Sequence, residues 1–211
     1  MQDYFCPNCG APLPFKSAVS VYTTCTSCRS MIVRHDMDLE KLGEVSELLN
    51  DMSPLQVGSS GTFQGVGFTL LGRIKLVYDR GMWSEWYAIF DNGHEGWLAE
   101  AQGFYMVSFP LKDFQAPGYQ AIQIGSALEI AGISFQADDI QKVTYAASEG
   151  ELPFVFKPDF QAISIDFRSN KGDFASILYG PEGPEVYLGR YQGFDKFEFK
   201  NLKKIDGWSR T

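Results

Sequence analysis

No cysteine follows Cys28, and the chain holds only two histidines, His35 and His94. Across most of its length there are too few residues for cysteine–histidine nucleophilic catalysis or for a multi-histidine metal site. Positive charge is also scarce. The 18 Lys and Arg stand against 26 Asp and Glu, a formal net charge of -8. Such a balance gives no global attraction to nucleic acid or anionic lipid. Lys196, Lys200, Lys203, Lys204 and Arg210 read as a solvated tail, and nucleic acid is not an expected partner. No apolar run approaches the roughly 20 residues of a membrane-spanning helix. The start Met1-Gln2-Asp3-Tyr4-Phe5 lacks the basic region and apolar core of a secretory signal. A cytoplasmic chain without a transmembrane segment is expected. The glycine-rich stretch from Gly58 to Gly67 lacks the Gly-Lys-Ser/Thr that would hold nucleotide phosphates, and reads as strand-entry turns.

What is abundant favours strands. Aromatic residues make up 15% of the chain, beside 21 glycines and 10 prolines, a composition that suits pleated surfaces and tight turns. Strands are expected at Phe68 to Tyr78, Glu85 to Phe90, Gly96 to Ala99 and Phe104 to Phe109. Further strands are expected at Ala162 to Phe167, Asp173 to Tyr179, Glu185 to Tyr191 and Phe194 to Phe199. Asp91-Asn92-Gly93 predicts a hairpin that sets Trp86 to Phe90 against Trp97-Leu98. Between Asp36 and Met52, the spacing of Leu42, Val45, Leu48 or Leu49, and Met52 predicts a short amphipathic helix, with Gly43 as a weak point inside it.

All four cysteines fall in two Cys-x2-Cys pairs, Cys6-Pro7-Asn8-Cys9 and Cys25-Thr26-Ser27-Cys28. Two residues inside each pair let a tight knuckle aim both sulfurs at one point, and two knuckles supply the four thiolates of a tetrahedral Zn²⁺ site. Four thiolates fill the coordination shell, so the ion is expected to be structural. The spacing resembles that of the zinc-ribbon family, with Arg29 where a small residue often follows the last ligand. Strands at Val19 to Thr23 and Met31 to Val33 complete the expected ribbon.

Aligning Val57 to Tyr78 with Ile124 to Tyr145 matches Gly58 with Gly125, Ser59 with Ser126, Gly65 with Gly132, Phe68 with Phe135, Lys75 with Lys142 and Tyr78 with Tyr145. The expected organisation is therefore mainly β. A zinc ribbon occupies 1–35, a helical linker 36–53, and two related small antiparallel barrel or sandwich units 54–118 and 119–211.

Several motifs, taken together, carry a family resemblance. Val57-Gly58-Ser59-Ser60-Gly61-Thr62, Leu71-Gly72-Arg73-Ile74, Trp86-Tyr87-x-x-Phe90 and Gly96-Trp97-Leu98 lie in the first half. Glu149-Gly150-Glu151-Leu152-Pro153, Ile165-Asp166-Phe167 and Tyr187-x-Gly189 lie in the second. With its ribbon head, the sequence resembles the bacterial family known as domain of unknown function four-one-seven-eight. The resemblance implies a cytoplasmic β-rich protein with no established activity, placed in a membrane-associated stress or transport system.

The functional expectation is a non-enzymatic adaptor that binds a protein partner through the ribbon, a sheet edge or an aromatic groove. Trp86, Trp97, Glu149, Glu151 and Asp166 are the candidate ligand or partner surface. The alternative is an enzyme whose acid and base are drawn from Glu149, Glu151 and Asp166, the first two in an expected acidic loop. His94 reads as a solvated turn residue.

Overall fold

In the computed structural model, residues 4–13, 15–35, 38–44 and 52–205 are described. The N-terminal region holds β1 (Tyr4–Phe5), β2 (Pro12–Leu13), β3 (Tyr22–Thr24), β4 (Ser30–His35) and β5 (Asp38–Glu44). The first half of the remainder holds β6 (Ser60–Phe63), β7 (Val66–Tyr78), β8 (Gly81–Phe90), β9 (Glu95–Ala101) and β10 (Phe104–Pro110). The second holds β11 (Ala127–Ile130), β12 (Ile133–Leu152), β13 (Gln161–Arg168), β14 (Asp173–Gly180) and β15 (Gly183–Tyr191). The mainly β expectation holds, and every described pairing of these strands is antiparallel.

The two halves join edge to edge in one sheet, instead of closing as separate units. Strands β7 to β10 and β12 to β15 each form a meander; β10 pairs with β15 and β12 with β7, which closes the strand order into a ring. Closure satisfies backbone groups that two open meanders would leave unpaired at their edges. Each seam brings backbone against backbone where only glycine fits. A Cβ on Gly72 would lie 1.9 Å from the Glu151 carbonyl oxygen, and one on Gly189 would lie 1.8 Å from that of Val107.

The opening hairpins of the halves are laid out alike, at the positions the sequence alignment equates. The Gly58 amide donates to the Leu70 carbonyl and the Leu70 amide to that of Ser59, as Gly125 and Ala137 do with Ala137 and Ser126. The Ser59 hydroxyl accepts from the Gln56 amide, and the Ser126 hydroxyl from that of Gln123. Val77 and Thr144, also equated by the alignment, face one another across the β7–β12 seam.

Alternation sorts side chains to the two faces of the ring. On the outer face of the first half, Phe68, Leu70, Trp86, Ala88, Phe90 and Leu98 form one core with Phe197 and Phe199. On the outer face of the second, Phe135, Ile165, Phe167, Ala175 and Ile177 form another with Ile122. A third cluster joins Tyr22, Met31 and Val33 of the ribbon to Leu71, Ile74, Leu76, Tyr87, Trp97, Tyr145 and Phe156.

Three local expectations are corrected. Asp38–Glu44 is a strand and not helix, paired with β4 from Ser30↔Glu44 to His35↔Asp38. An interior glycine weakens the helix there, and the free edge of β4 offers the backbone hydrogen bonds that a short helix would otherwise supply. Positions 36–37 and 45–51 of the expected helix lie outside the described residues. Phe194–Phe197 is a 3-10 turn, not a strand, because Phe197 and Phe199 drop together into the first-half core, with Glu198 left-handed between them (φ 50°). Finally, Glu149 to Leu152 is no loop but the end of β12.

Candidate functional site

The two cysteine knuckles are built alike. The Gly10 amide donates to the Cys6 carbonyl and the Arg29 amide to that of Cys25, both at 2.9 Å. Each turn needs a left-handed residue after its second cysteine, supplied by Gly10 (φ 74°) and by Arg29 (φ 57°). The departure at Arg29 thus keeps the knuckle conformation of the ribbon pattern. Across the knuckles, the Cys6 and Cys28 sulfurs lie 3.6 Å apart and those of Cys9 and Cys25 3.7 Å. All four sulfurs fall within 4.8 Å of one another.

Those separations exceed the roughly 2.05 Å of a disulfide and match the edge of a ZnS4 tetrahedron, about 3.8 Å for Zn–S bonds of about 2.3 Å. The donor set therefore fits Zn²⁺. Among the described residues, this is the one group with spacing that could hold a metal ion. Hydrogen bonds from the Asn8 side chain and from Ser30 pull the Cys28 thiol down to about 5. For Cys9 the Ala11 amide acts in the same direction, but the crowding thiols, Cys28 foremost, outweigh it and push the group up to about 12.

The ribbon is fastened to the ring through β12. This strand runs 20 residues and serves three partners in turn: β13 from Gln136 to Thr144, β7 from Thr144 to Gly150, and β3 at Glu151 and Leu152. The buried Glu151 carboxylate accepts the backbone amides of Lys16 at 2.8 Å and Ser17 at 3.1 Å. Charge-assisted bonds of this kind compensate a carboxylate that burial would otherwise penalise. Tyr22 then packs on Phe156 (6.2 Å between ring centroids), and Phe156 stacks on Tyr145 at 6.2 Å.

All eight ring strands contribute side chains to a cavity of about 190 Å³. Its walls carry aromatic rings, among them Trp83, Trp97, Tyr145, Phe154, Phe174 and Tyr187, with Ser108, Ser164 and Ser176 between them. Glu85 and Asp166 lie within, whereas Asp139 and Glu185 are exposed at its margin; no Lys, Arg or His lines it. Trp83 donates its indole N–H to Glu85 at 3.0 Å, and the Tyr187 hydroxyl donates to Glu185 at 2.7 Å.

Enclosure dominates the protonation of the interior acids. Burial pushes the Asp166 carboxyl up to about 7, against a lowering hydrogen bond from Ser176 and with further raising by Glu85, Asp139 and Asp138. Burial likewise raises Glu85, with Glu185 adding to it and the Trp83 bond opposing. Both carboxylates keep some accessible surface, because the cavity itself admits water.

The residues singled out from sequence do not gather at one surface. Trp86 is fully buried in the first-half core, with its indole N–H on Glu100 at 3.1 Å and the Arg73 guanidinium 4.6 Å over its ring. Trp97 is buried against Tyr87, its ring centroid 5.5 Å away, and turns toward the cavity. Glu151 fastens the ribbon, and Glu149 stands opposite Arg73 across the β7–β12 seam. Asp166 faces Asp139 across the β12–β13 ladder, and about 30 Å of strand separates Asp139 from Glu149 at the usual rise. His94 sits exposed in the β8–β9 turn, as expected.

Sequence reasoning passed over Glu85, Asp139, Glu185, Tyr145 and Tyr187. A signal existed in β13 and β14: Ile163, Ile165, Phe167, Ala175 and Ile177 make one apolar face, while Ser164, Asp166 and Ser176 alternate with them. That second face reads as solvent-facing until closure turns it inward.

No helix among the described residues is long and apolar enough to cross a membrane. No match was found among curated proteins or among solved structures. The motifs of the ring fall within 56–192, the span that matches the family described as domain of unknown function DUF4178, and the chain belongs to that family.

Proposed function

We propose that this chain is a non-enzymatic, cytoplasmic binding protein. A structural Zn²⁺ on Cys6, Cys9, Cys25 and Cys28 holds the ribbon as a floor beneath the ring, and the ring interior receives a small ligand. The supporting observation is the cavity, whose lining is drawn from all eight ring strands and closes on the ribbon-packed cluster around Tyr22, Phe156 and Tyr145. Enclosed, largely apolar compartments with a few convergent polar groups are the usual form of small-molecule sites. We read the two halves as related copies of one β-unit, in keeping with their matching opening hairpins.

The test is a fragment screen read by the Trp83 and Trp97 indole NMR signals on the zinc-loaded chain. Saturable shifts are expected in the intact protein. They should be lost in Ala99→Phe, which fills the cavity while leaving the thermal midpoint within a few degrees. Binding unchanged by that substitution would contradict the reading.

A protein-adaptor role is the second reading. It draws support from β5, which ends the strand order with one edge unpaired among the described residues, and from Phe5, 58% exposed on the ribbon. An extended partner segment can add to such an edge. Crosslinked affinity capture with the intact chain and with a Cys6→Ser/Cys9→Ser variant tests it, expecting a partner retained only by the intact ribbon. A place in a membrane-associated bacterial stress or transport system rests on the family resemblance alone. An enzyme built on Glu149, Glu151 and Asp166 would require a convergence that their separate positions do not provide.

A further inference from the structure

The cavity has a chemical sign. Its interior carboxylates, Glu85 and Asp166, have two further acids at the margin, Asp139 and Glu185, and no basic side chain lines the space. These acids are not grouped as a metal site, since the cysteine cluster alone among the described residues has such spacing. The negative charge is instead spread along walls of Trp83, Trp97, Tyr145, Phe154, Phe174 and Tyr187. Aromatic faces attract a cation through their quadrupole, most strongly when it is desolvated, and carboxylates accept its N–H donors. A hydrated inorganic ion would leave the rings unused, and an anion would meet four acidic groups and no basic one.

We propose that the ring interior is a binding site for a small organic cation, an alkylammonium group whose N–H donors reach Glu85 and Asp166 and whose alkyl part lies against the aromatic walls. The two carboxylates come from β8 and β13, one from each half. The site is therefore absent from either meander alone and exists only because the halves close into one ring. Exposed Met82 and Gln102, at the starts of β8 and of the β9–β10 turn, stand at its margin and mark the route of entry.

The inference rests on the reading of the interior as the binding compartment. Its test separates the two with three probes of equal chain length: n-butylammonium, n-butanol and butyrate. Each is titrated into the full zinc-loaded chain at pH 8, above the value of about 7 to which burial pushes Asp166. The Trp83 and Trp97 indole signals are the readout. The expected result is saturable binding of n-butylammonium, at least about tenfold weaker binding of n-butanol and none of butyrate. Asp166→Asn and Glu85→Gln should each weaken n-butylammonium by about tenfold or more while leaving n-butanol unchanged. These near-isosteric changes keep the volume of the wall, and the n-butanol arm verifies that the variant cavity is intact.

Binding of n-butanol as tight as that of n-butylammonium, or preference for butyrate, overturns the cation inference and leaves the compartment standing. Failure of all three probes to shift either indole overturns both.

Discussion

The ribbon and the ring reach order by different routes. The ribbon's own core is small: Cys6, Leu13, Phe15, Cys25 and Ile32 are its buried apolar members. So few residues offset little of the conformational entropy of the segment, and an ion held by the four cysteines would contribute much of its folding free energy. The ring has a hydrophobic core on each outer face, rich in aromatics in the first half and mainly aliphatic in the second, and two seams that close its backbone hydrogen bonding. The difference shows where chemistry is placed in each: four residues in two short knuckles for the ribbon, side chains drawn from eight strands for the ring.

That contrast can be broken at several points. The largest effect is expected from Cys25→Ser. Loss of one thiolate should abolish high-affinity zinc binding and raise amide exchange in β3 to β5 by about two orders of magnitude. Exchange at the β10–β15 seam should change little. Hydrogen exchange by mass spectrometry reads both regions at once, and equal loosening of ribbon and seam would deny the separation.

Gly72→Ala attacks the ring instead. The added methyl meets the Glu151 carbonyl oxygen, and a destabilisation of about 3 kcal/mol is expected from forced backbone movement. Zinc stoichiometry should stay at one ion per chain. Chemical denaturation with metal analysis checks the pair of outcomes.

The junction is tested by Glu151→Gln, which removes the charge behind the two amide bonds from Lys16 and Ser17. A loss of about 2 kcal/mol is expected, seen as faster exchange at Tyr22 to Thr24 with the zinc still bound.

A smaller effect concerns pH. Asp166 holds its proton to about 7 in the folded chain but releases it near 4 when unfolded. Between those values the native state binds the extra proton, so stability falls as pH rises from about 4 to 7 and is level above. Asp173 works in the opposite sense. Its hydrogen bond from Ser169, and then Arg190, pull its carboxyl down, so its contribution is present above the unfolded value and lost as pH falls through the folded one. Asp166→Asn should remove roughly 1–2 kcal/mol of the neutral-side decline, allowing for water in the cavity. Thermal midpoints measured from pH 4 to 8 give the slope.

Legibility in the sequence follows the same division. The cysteine spacing was enough to expect the four-sulfur cluster, because a geometry built on two knuckles is local and four residues encode it. The hairpin at Asp91-Asn92-Gly93 was readable for the same reason. Glu149-Gly150-Glu151 was misread as a loop because its polarity is local, whereas the partners that absorb it, Lys16 and Ser17, lie far away in the chain. Likewise Asp166 stood out as an acid inside a strand, but nothing near it in sequence shows that β8 brings Glu85 to the same interior. Closure of the ring is a property of the seams, and their glycines carry no signal until the opposing backbone is known.

Strands from both halves enclose an acidic interior. Carboxyl-carbon NMR titration of the zinc-loaded chain tests it most directly, with the Asp166 signal assigned by its loss in Asp166→Asn. A midpoint near 7 for Asp166 is the expected result. A midpoint in the ordinary carboxylate range, near 4, would place Asp166 in open solvent and contradict the enclosed ring.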